Sequence, residues 1–208
     1  MESKADMLYK LLKKKYGETN PELTYSNLYE LTIAVVLSAQ TTDKQVNKVT
    51  PELFLKYPDF KSLSNASLDE IEKIVHSTGF YHSKAKNILG LAKALSEKSF
   101  ILPDSIEELI KLPGIGRKTA NVVISQGFGK PGLAVDTHVG RIARRIGLTR
   151  SKNPDIIEKE LKSMLAPEKW LEFHLLMINH GRKTCFARKP DCSICVAYSI
   201  CNFYASNH

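Results

Sequence analysis

The chain has 208 residues, 43% hydrophobic and 25% charged, with a formal net charge of +8 and a pI near 9.2. This balance suits one or two small domains with a real core and excludes a disordered chain. The longest apolar run, Leu31 to Ala39, falls far short of the ~18 residues a membrane span needs.

The N-terminal stretch MESKADMLYKLLKKKYG lacks the apolar segment and small-residue cleavage site of a secretory signal. A cytoplasmic protein is therefore expected, nucleoid-associated if prokaryotic, without structural disulfides. The lysines of this stretch punctuate an amphipathic helix with one solvated face. YSNLYELTIAVVLSAQ reads as a buried helix capped by Ser26, although Ile33, Val35 and Val36 also suit a strand. Ser67 to Val75 is an amphipathic helix with a Ser67–Glu70 capping box. Ser83 to Leu95 repeats apolar residues at three- and four-residue steps. Ser105 to Leu112 carries a second box, Ser105–Glu108, and is stopped by Pro113 and Gly114. Gly116 to Gln126 is the next helix, ended by Gly127. Thr137 to Gly147 puts Val139, Ile142, Ala143 and Ile146 on one face and Arg141, Arg144 and Arg145 largely on the other. NPDIIEKELKSML and EKWLEFHLLMINHG add two more. No set of alternating strands is present, so the fold class is all-α, with about ten short helices.

Charge is distributed unevenly. Residues 1–115 carry 15 Lys and 15 Asp/Glu, whereas residues 116–208 carry 15 Lys/Arg against 7 Asp/Glu, including every arginine of the chain. A one-sided basic surface is the electrostatic footprint of a polyanion, although basic solubility alone produces the same imbalance.

All four cysteines, Cys185, Cys192, Cys195 and Cys201, lie in the tail with the spacing C-x6-C-x2-C-x5-C. The segment around them is too small for its own apolar core and needs a staple. Four thiols clustered at the end of a chain otherwise free of cysteine argue for a metal site. Zinc sites more often pair two C-x2-C hooks, and the spacing also misses the common ferredoxin runs. Zinc and a [4Fe–4S] cluster both remain open on the ligands alone.

The stretch LPGIGRKTANVV, Leu112 to Val123, joins two helices by a tight turn. Gly114 and Gly116 are expected to adopt backbone conformations that other residues resist, so that Gly116→Ala would distort the turn. Backbone N–H groups at the start of the following helix can grip an anion, and in a basic protein that anion is a DNA phosphate. A sharp corner with no ligand is the plainer alternative. Lys118 sits in the first turn of that helix, where the dipole disfavours the ammonium form. With partial burial added, a neutral amine becomes available for Schiff-base chemistry. A plain phosphate-contacting lysine is the competing reading. Asp136, in AVDTHVGRI, is either the N-cap of an arginine-rich helix or a carboxylate that stabilises positive charge developing on a sugar ring.

Together these residues resemble the endonuclease III family of DNA glycosylases nearly end to end. The motifs are LSAQTTD (Leu37 to Asp43), GFYHSKA (Gly79 to Ala85), LPGIGRKTANVV, AVDTHVGRI, INHGR (Ile178 to Arg182) and the cysteine tail, in the family's order. The resemblance implies two helical lobes with a DNA-binding cleft between them. Residues 21–132 would form a continuous domain with the helix-hairpin-helix, and residues 1–20 and 133–208 an iron–sulfur domain with a [4Fe–4S] cluster on the four cysteines. The implied activity is that of a bifunctional glycosylase and AP lyase acting as a monomer on oxidised or saturated pyrimidines, or abasic sites, in duplex DNA. Lys118 would attack C1′ and form a Schiff base, and β-elimination would nick the strand. Asp136 would assist base departure. Gln40 and Phe80 match positions that enter the gap left by the extruded nucleotide, Phe80 replacing the aliphatic side chain common there. Pro113, Gly114, Ile115, Gly116, Arg117 and Thr119 of the hairpin, with His138 and Arg141, would contact DNA or line the site.

The nearest rival is a monofunctional mismatch or adenine glycosylase of the same superfamily. Such relatives lack the hairpin lysine or use a carboxylate before the Gln loop, and Leu31 to Gln40 contains none. A non-catalytic DNA-binding module and a redox protein are the rivals from other classes.

Overall fold

The computed structural model describes residues 2–207, which form two compact units: residues 21–130, and residues 2–20 together with 131–207. Among the described residues every regular element is helical and none is a strand. None of these helices is long and apolar enough to cross a membrane.

Helix α1 spans Lys4–Tyr16 and belongs to the discontinuous unit. The continuous unit holds α2 (Leu28–Leu37), α3 (Asp43–Lys56), α4 (Phe60–Ser64), α5 (Leu68–Val75), α6 (Tyr81–Ser96), α7 (Ile106–Leu109) and α8 (Arg117–Val122). At its centre lies α2, in which Tyr29 and every residue from Leu31 to Leu37 are buried. An apolar run without periodicity belongs at the centre of a core, which removes the strand ambiguity. Its cap is Asn27, one residue later than expected, and the Asn27 side chain accepts from the Glu30 amide at 2.9 Å.

The Ser67–Glu70 box does not form. Ser67 opens α5 without a side-chain bond, because Glu70 is drawn to Lys56 at 3.0 Å and the Tyr57 hydroxyl at 2.8 Å. Ser105 caps α7 through the Glu108 amide at 3.3 Å, while the Glu108 carboxylate turns to Lys111 and Lys98. Helix α3 has no counterpart among the expected elements, since Pro51 stands inside it. Thr42, whose hydroxyl accepts from the Gln45 amide, is the start signal that reveals it. After α8 the backbone widens into a π-turn over Val123–Gly127.

The other unit adds α9 (Thr137–Ile146), α10 (Pro154–Met164), α11 (Trp170–Lys183) and α12 (Asn202–Asn207) to α1. Leu8 and Leu12 of α1, Ile142 and Ile146 of α9, Leu161 of α10, and Phe173 and Met177 of α11 share its core. Polar bonds fasten α1 to the α11 region: Lys13 to Glu172 at 3.0 Å and Lys169 to Asp6 at 2.7 Å. Between α11 and α12 the chain has only short 3-10 turns, and Ala197 is that segment's one residue in the buried apolar core.

Candidate active site and cysteine centre

In the hairpin, α7 gives way to Leu112 and Pro113, and Ile115 donates back to the Leu112 carbonyl at 3.2 Å. Gly114 has φ +75°, and a Cβ there would lie 2.7 Å from Asn87 Cβ and 3.2 Å from Val36 Cγ1. Only glycine fits such a left-handed, crowded position. Gly116 is different from the expectation. Its φ of −86° is open to any residue, and a Cβ would point into empty space. Gly116→Ala would therefore leave the turn intact, and the conformational demand falls on Gly114 alone. Gly116 is the N-cap of α8 and brings no side chain to cap with, so the first-turn amides look to water or an anion.

Ile115 is 4% exposed and belongs to the core. Its side chain anchors the hairpin and leaves only backbone for a ligand. Pro113, Arg117 and Lys118 are exposed and Thr119 is half-buried. Lys118 thus stands in the first turn of α8 without the partial burial the sequence suggested.

Gln40 and Phe80 share an unusual backbone. Both are non-glycine residues with left-handed conformations, φ 54° and 49°, which cost about 1 kcal/mol or more each. Both are exposed, Phe80 at 68%. The turns that carry them are joined by hydrogen bonds. The Thr41 hydroxyl donates to the Thr78 carbonyl, and Gln45 Nε2 donates to Ser77 Oγ at 2.7 Å.

In the discontinuous unit, Asp136 is the N-cap of α9, and its Oδ1 accepts from the Val139 amide at 2.8 Å. His138 is half-buried beside Arg141, whose NH2 group lies 3.1 Å from His138 Nδ1. Burial holds the His138 imidazole below its usual range; Asp136 opposes this, while Arg141 and Arg182 reinforce it. Arg141 is bound to protein: it donates from Nε and NH2 to the Cys185 carbonyl, at 3.1 and 2.9 Å, and from NH2 to the Gly181 carbonyl at 3.1 Å. A Cβ on Gly181 would come within 2.7 Å of His138 Nδ1, so the glycine of the INHGR motif lets α9 and α11 pack closely.

No disulfide joins the four cysteines, which are half-buried and line one pocket with Arg145, His180, Thr184, Asp191, Tyr198 and Phe203 among others. Arg145 NH1 lies 3.2 Å from Cys185 Sγ, and His180 Nε2 lies 3.8 Å from Cys195 Sγ. His180 is 1% exposed, and burial pushes its imidazole down to about 4. The Tyr16 hydroxyl meets its Nδ1 at 2.9 Å. Burial raises the Cys192 and Cys195 thiols, and the neighbouring cysteines push the same way. No group of three or more His, Cys, Asp or Glu among the described residues is set to hold a single metal ion.

Residues 33–167 match the model of the HhH-GPD superfamily of base excision DNA repair proteins. An endonuclease III of Rickettsia felis is 46% identical over 201 residues, covering 96% of this chain and 94% of the relative. The chain belongs to the endonuclease III family. Two solved structures of that family align over nearly the whole chain. A non-covalent endonuclease III–DNA complex has a TM-score of 0.92 at 41% identity, covering 99% of this chain and 98% of the other. A trapped endonuclease III–DNA covalent intermediate has a TM-score of 0.91 at 41% identity, covering 99% of each. As a member of this family, the protein is a DNA glycosylase and AP lyase of base excision repair.

Two units divide the family's expected site residues. The hairpin, Gln40, Phe80 and Lys118 lie in the continuous unit; Asp136, His138, Arg141 and the cysteines lie in the other. Lys84, inside the GFYHSKA motif, is a site-adjacent residue that sequence reasoning passed over. It is 4% exposed and donates from Nζ to the Thr41 hydroxyl and, at 2.7 Å, to the Thr78 carbonyl. A lysine in the run Ser83-Lys84-Ala85-Lys86 looks like solvated surface, and no local signal marks it as buried.

Proposed function

We propose that the protein removes oxidised or saturated pyrimidines from duplex DNA through a Schiff base on Lys118. The observation that carries this is an exposed amine one residue inside a helix whose N-cap is glycine. Backbone donors at that turn hold a phosphate, and the amine beside them is free to react. The Lys118 nitrogen bonds to C1′ as the C1′–N glycosidic bond breaks, and the departing base carries away the electron pair and takes up a proton. The C1′ adduct opens to an iminium. Loss of a C2′ proton then breaks the C3′–O bond and nicks the strand. The reaction needs a neutral amine. A covering DNA strand would strip water from an amine that the free protein leaves exposed.

The nucleotide must leave the stack to be attacked, at a cost of a few kcal/mol. Gln40 and Phe80 fill the vacated space, and the poor stacking of damaged pyrimidines lowers the cost of extrusion. Incubation with a duplex bearing one thymine glycol, with and without borohydride, tests the reading. Expected is a nicked strand without borohydride and a covalent protein–DNA adduct with it. Release of the base with no adduct would point to a monofunctional glycosylase instead.

Asp136 supports base departure in addition to capping α9. Asparagine keeps an Oδ1 acceptor and caps as well as aspartate. Asp136→Asn should therefore leave thermal stability nearly unchanged and slow excision of thymine glycol by about 10²-fold, the scale of losing one charged stabiliser. Trapping at a ready-made abasic site, where no base has to leave, should persist. An unchanged excision rate would reduce Asp136 to a cap.

Undamaged DNA should be bound by charge alone, because the excess positive charge lies from Gly116 onward. Log affinity should fall linearly with log salt, with a slope of about −0.9 per phosphate neutralised. Salt-independent binding would contradict it. Arg141 is spent on bracing α9 against the cysteine segment and contributes little to this slope.

Cys185, Cys192, Cys195 and Cys201 hold a [4Fe–4S] cluster in this reading. An all-sulfur donor set selects zinc or iron–sulfur, and membership of the endonuclease III family favours the cluster. Bound there, the cluster supplies a staple for a tail with almost no core, with Arg145 donating to the Cys185 sulfur and the His180 ring beside that of Cys195.

A further inference from the structure

Lys84 is a lysine buried among neutral partners. It is 4% exposed, and the hydrogen bonds from its Nζ go to the Thr41 hydroxyl and the Thr78 carbonyl, with no carboxylate among them. Lysine is almost never fully buried unless paired. A structural purpose that aspartate pairing would serve on a surface is thus absent, and the geometry shows another. Thr41 follows Gln40 directly, and Thr78 precedes Gly79 and Phe80. The Thr41 hydroxyl accepts from Lys84 and donates to the Thr78 carbonyl, which Lys84 also reaches. Thr78 is itself 2% exposed, its hydroxyl held by the Val75 carbonyl at 2.7 Å. Lys84 lies one turn into α6, whose first backbone bond runs from the Lys84 amide to the Phe80 carbonyl at 3.1 Å. One residue therefore holds both turns by its side chain and Phe80 by its backbone.

The two turns it holds are those with Gln40 and Phe80 in left-handed backbone, with Gly79 beside Phe80 at φ +67°. Backbone of this kind persists only where the surrounding structure over-determines it. We propose that Lys84 is a positioning residue that locks the Ser38–Thr41 and Thr78–Phe80 turns into one rigid platform, presenting Gln40 and Phe80 together to the space vacated by the extruded nucleotide. This rests on the gap-filling role proposed for those two residues. Binding to a duplex then requires no ordering of the two turns at the moment of extrusion, the gain that preorganisation brings.

The test compares borohydride trapping on two abasic substrates, a duplex and the same strand single. The single strand has no partner base to displace and no gap to fill, so it does not call on the platform. Lys84→Met keeps the side-chain length and removes the donors. Thr41→Val removes the shared hydroxyl while keeping the shape, and Thr41→Ser retains it. On the duplex, Lys84→Met and Thr41→Val should lose about tenfold to a hundredfold in trapping rate, the scale of a small misplacement at a reacting centre. On the single strand they should stay within about twofold of the parent. Thr41→Ser should keep the duplex rate. Equal losses on both substrates, or no loss on the duplex, would overturn the proposal. If Lys84→Met fails to fold, the Val and Ser variants at Thr41 decide it alone. A Gln40→Ala, Phe80→Ala double variant separates this inference from its foundation. Without a duplex-selective loss there, the gap-filling reading itself falls. With such a loss there and none in Lys84→Met or Thr41→Val, only the role of Lys84 falls.

Discussion

Lys118→Gln is expected to bind duplex DNA with nearly parental affinity, release no base and form no borohydride-trapped adduct. Glutamine has a similar reach and remains a hydrogen-bond donor, so the hairpin turn is untouched; Gly114 and the buried Ile115 set that turn, not residue 118. What disappears is a nitrogen lone pair able to attack carbon, together with the positive charge of the ammonium form. Base excision and abasic-site nicking should both fall by about 10³-fold or more, the scale of removing a nucleophile. The two activities should fall together, because one nitrogen serves both. Assaying excision on thymine glycol, nicking on an abasic duplex and binding by gel shift in one series checks it. If the variant still forms the trapped adduct at the parental rate, another amine is the nucleophile. If it fails to bind, Lys118 is a phosphate contact, the plainer reading of its position beside a glycine N-cap.

Cys192→Ser should act on the tail before it acts on the chemistry. The segment from Thr184 to Cys201 has short 3-10 turns, one buried alanine and no disulfide. Its order has to come from whatever the four sulfurs bind, and structural metal sites contribute about 10 kcal/mol to folding. Parental protein purified without oxygen should be yellow-brown, with about four irons per chain. The variant should lose iron and colour, and its tail should become open to trypsin at the exposed Arg188. Because Lys118 belongs to the other compact unit, trapping should drop in proportion to the folded fraction and not separately. Colourless parental protein with one zinc would defeat the cluster assignment. A variant with full iron and a protected tail would remove Cys192 from the ligands.

Much of the architecture was legible in the chain because helix signals are local. The Asp136 cap, the apolar stripe of Val139, Ile142 and Ile146, and the stop at Pro113-Gly114 each act within one or two turns of helix. Where local signals failed, a distant side chain had won. Glu70 left its capping box for Lys56 and Tyr57, and the start of α2 moved by one residue because Asn27 accepts where Ser26 was expected to. Helix α3 was hidden by Pro51, whose missing N–H is a strong local argument against helix that the flanking burial of Val46, Val49 and Leu53 overrides.

The sequence by itself determined the all-α class, the family and the grouping of the cysteines, since motif order and spacing are properties of the chain. Tertiary structure alone decided which glycine the hairpin requires, because only packing reveals that Asn87 and Val36 close on Gly114 while Gly116 faces open space. It also decided that Arg141 braces the cysteine segment and that Ile115 is core. Above all it decided the place of Lys84, bonded to partners 43 and 6 positions away. Whether a lysine is solvated or buried depends on which chain segments meet above it, and no pattern in its own neighbourhood records that meeting.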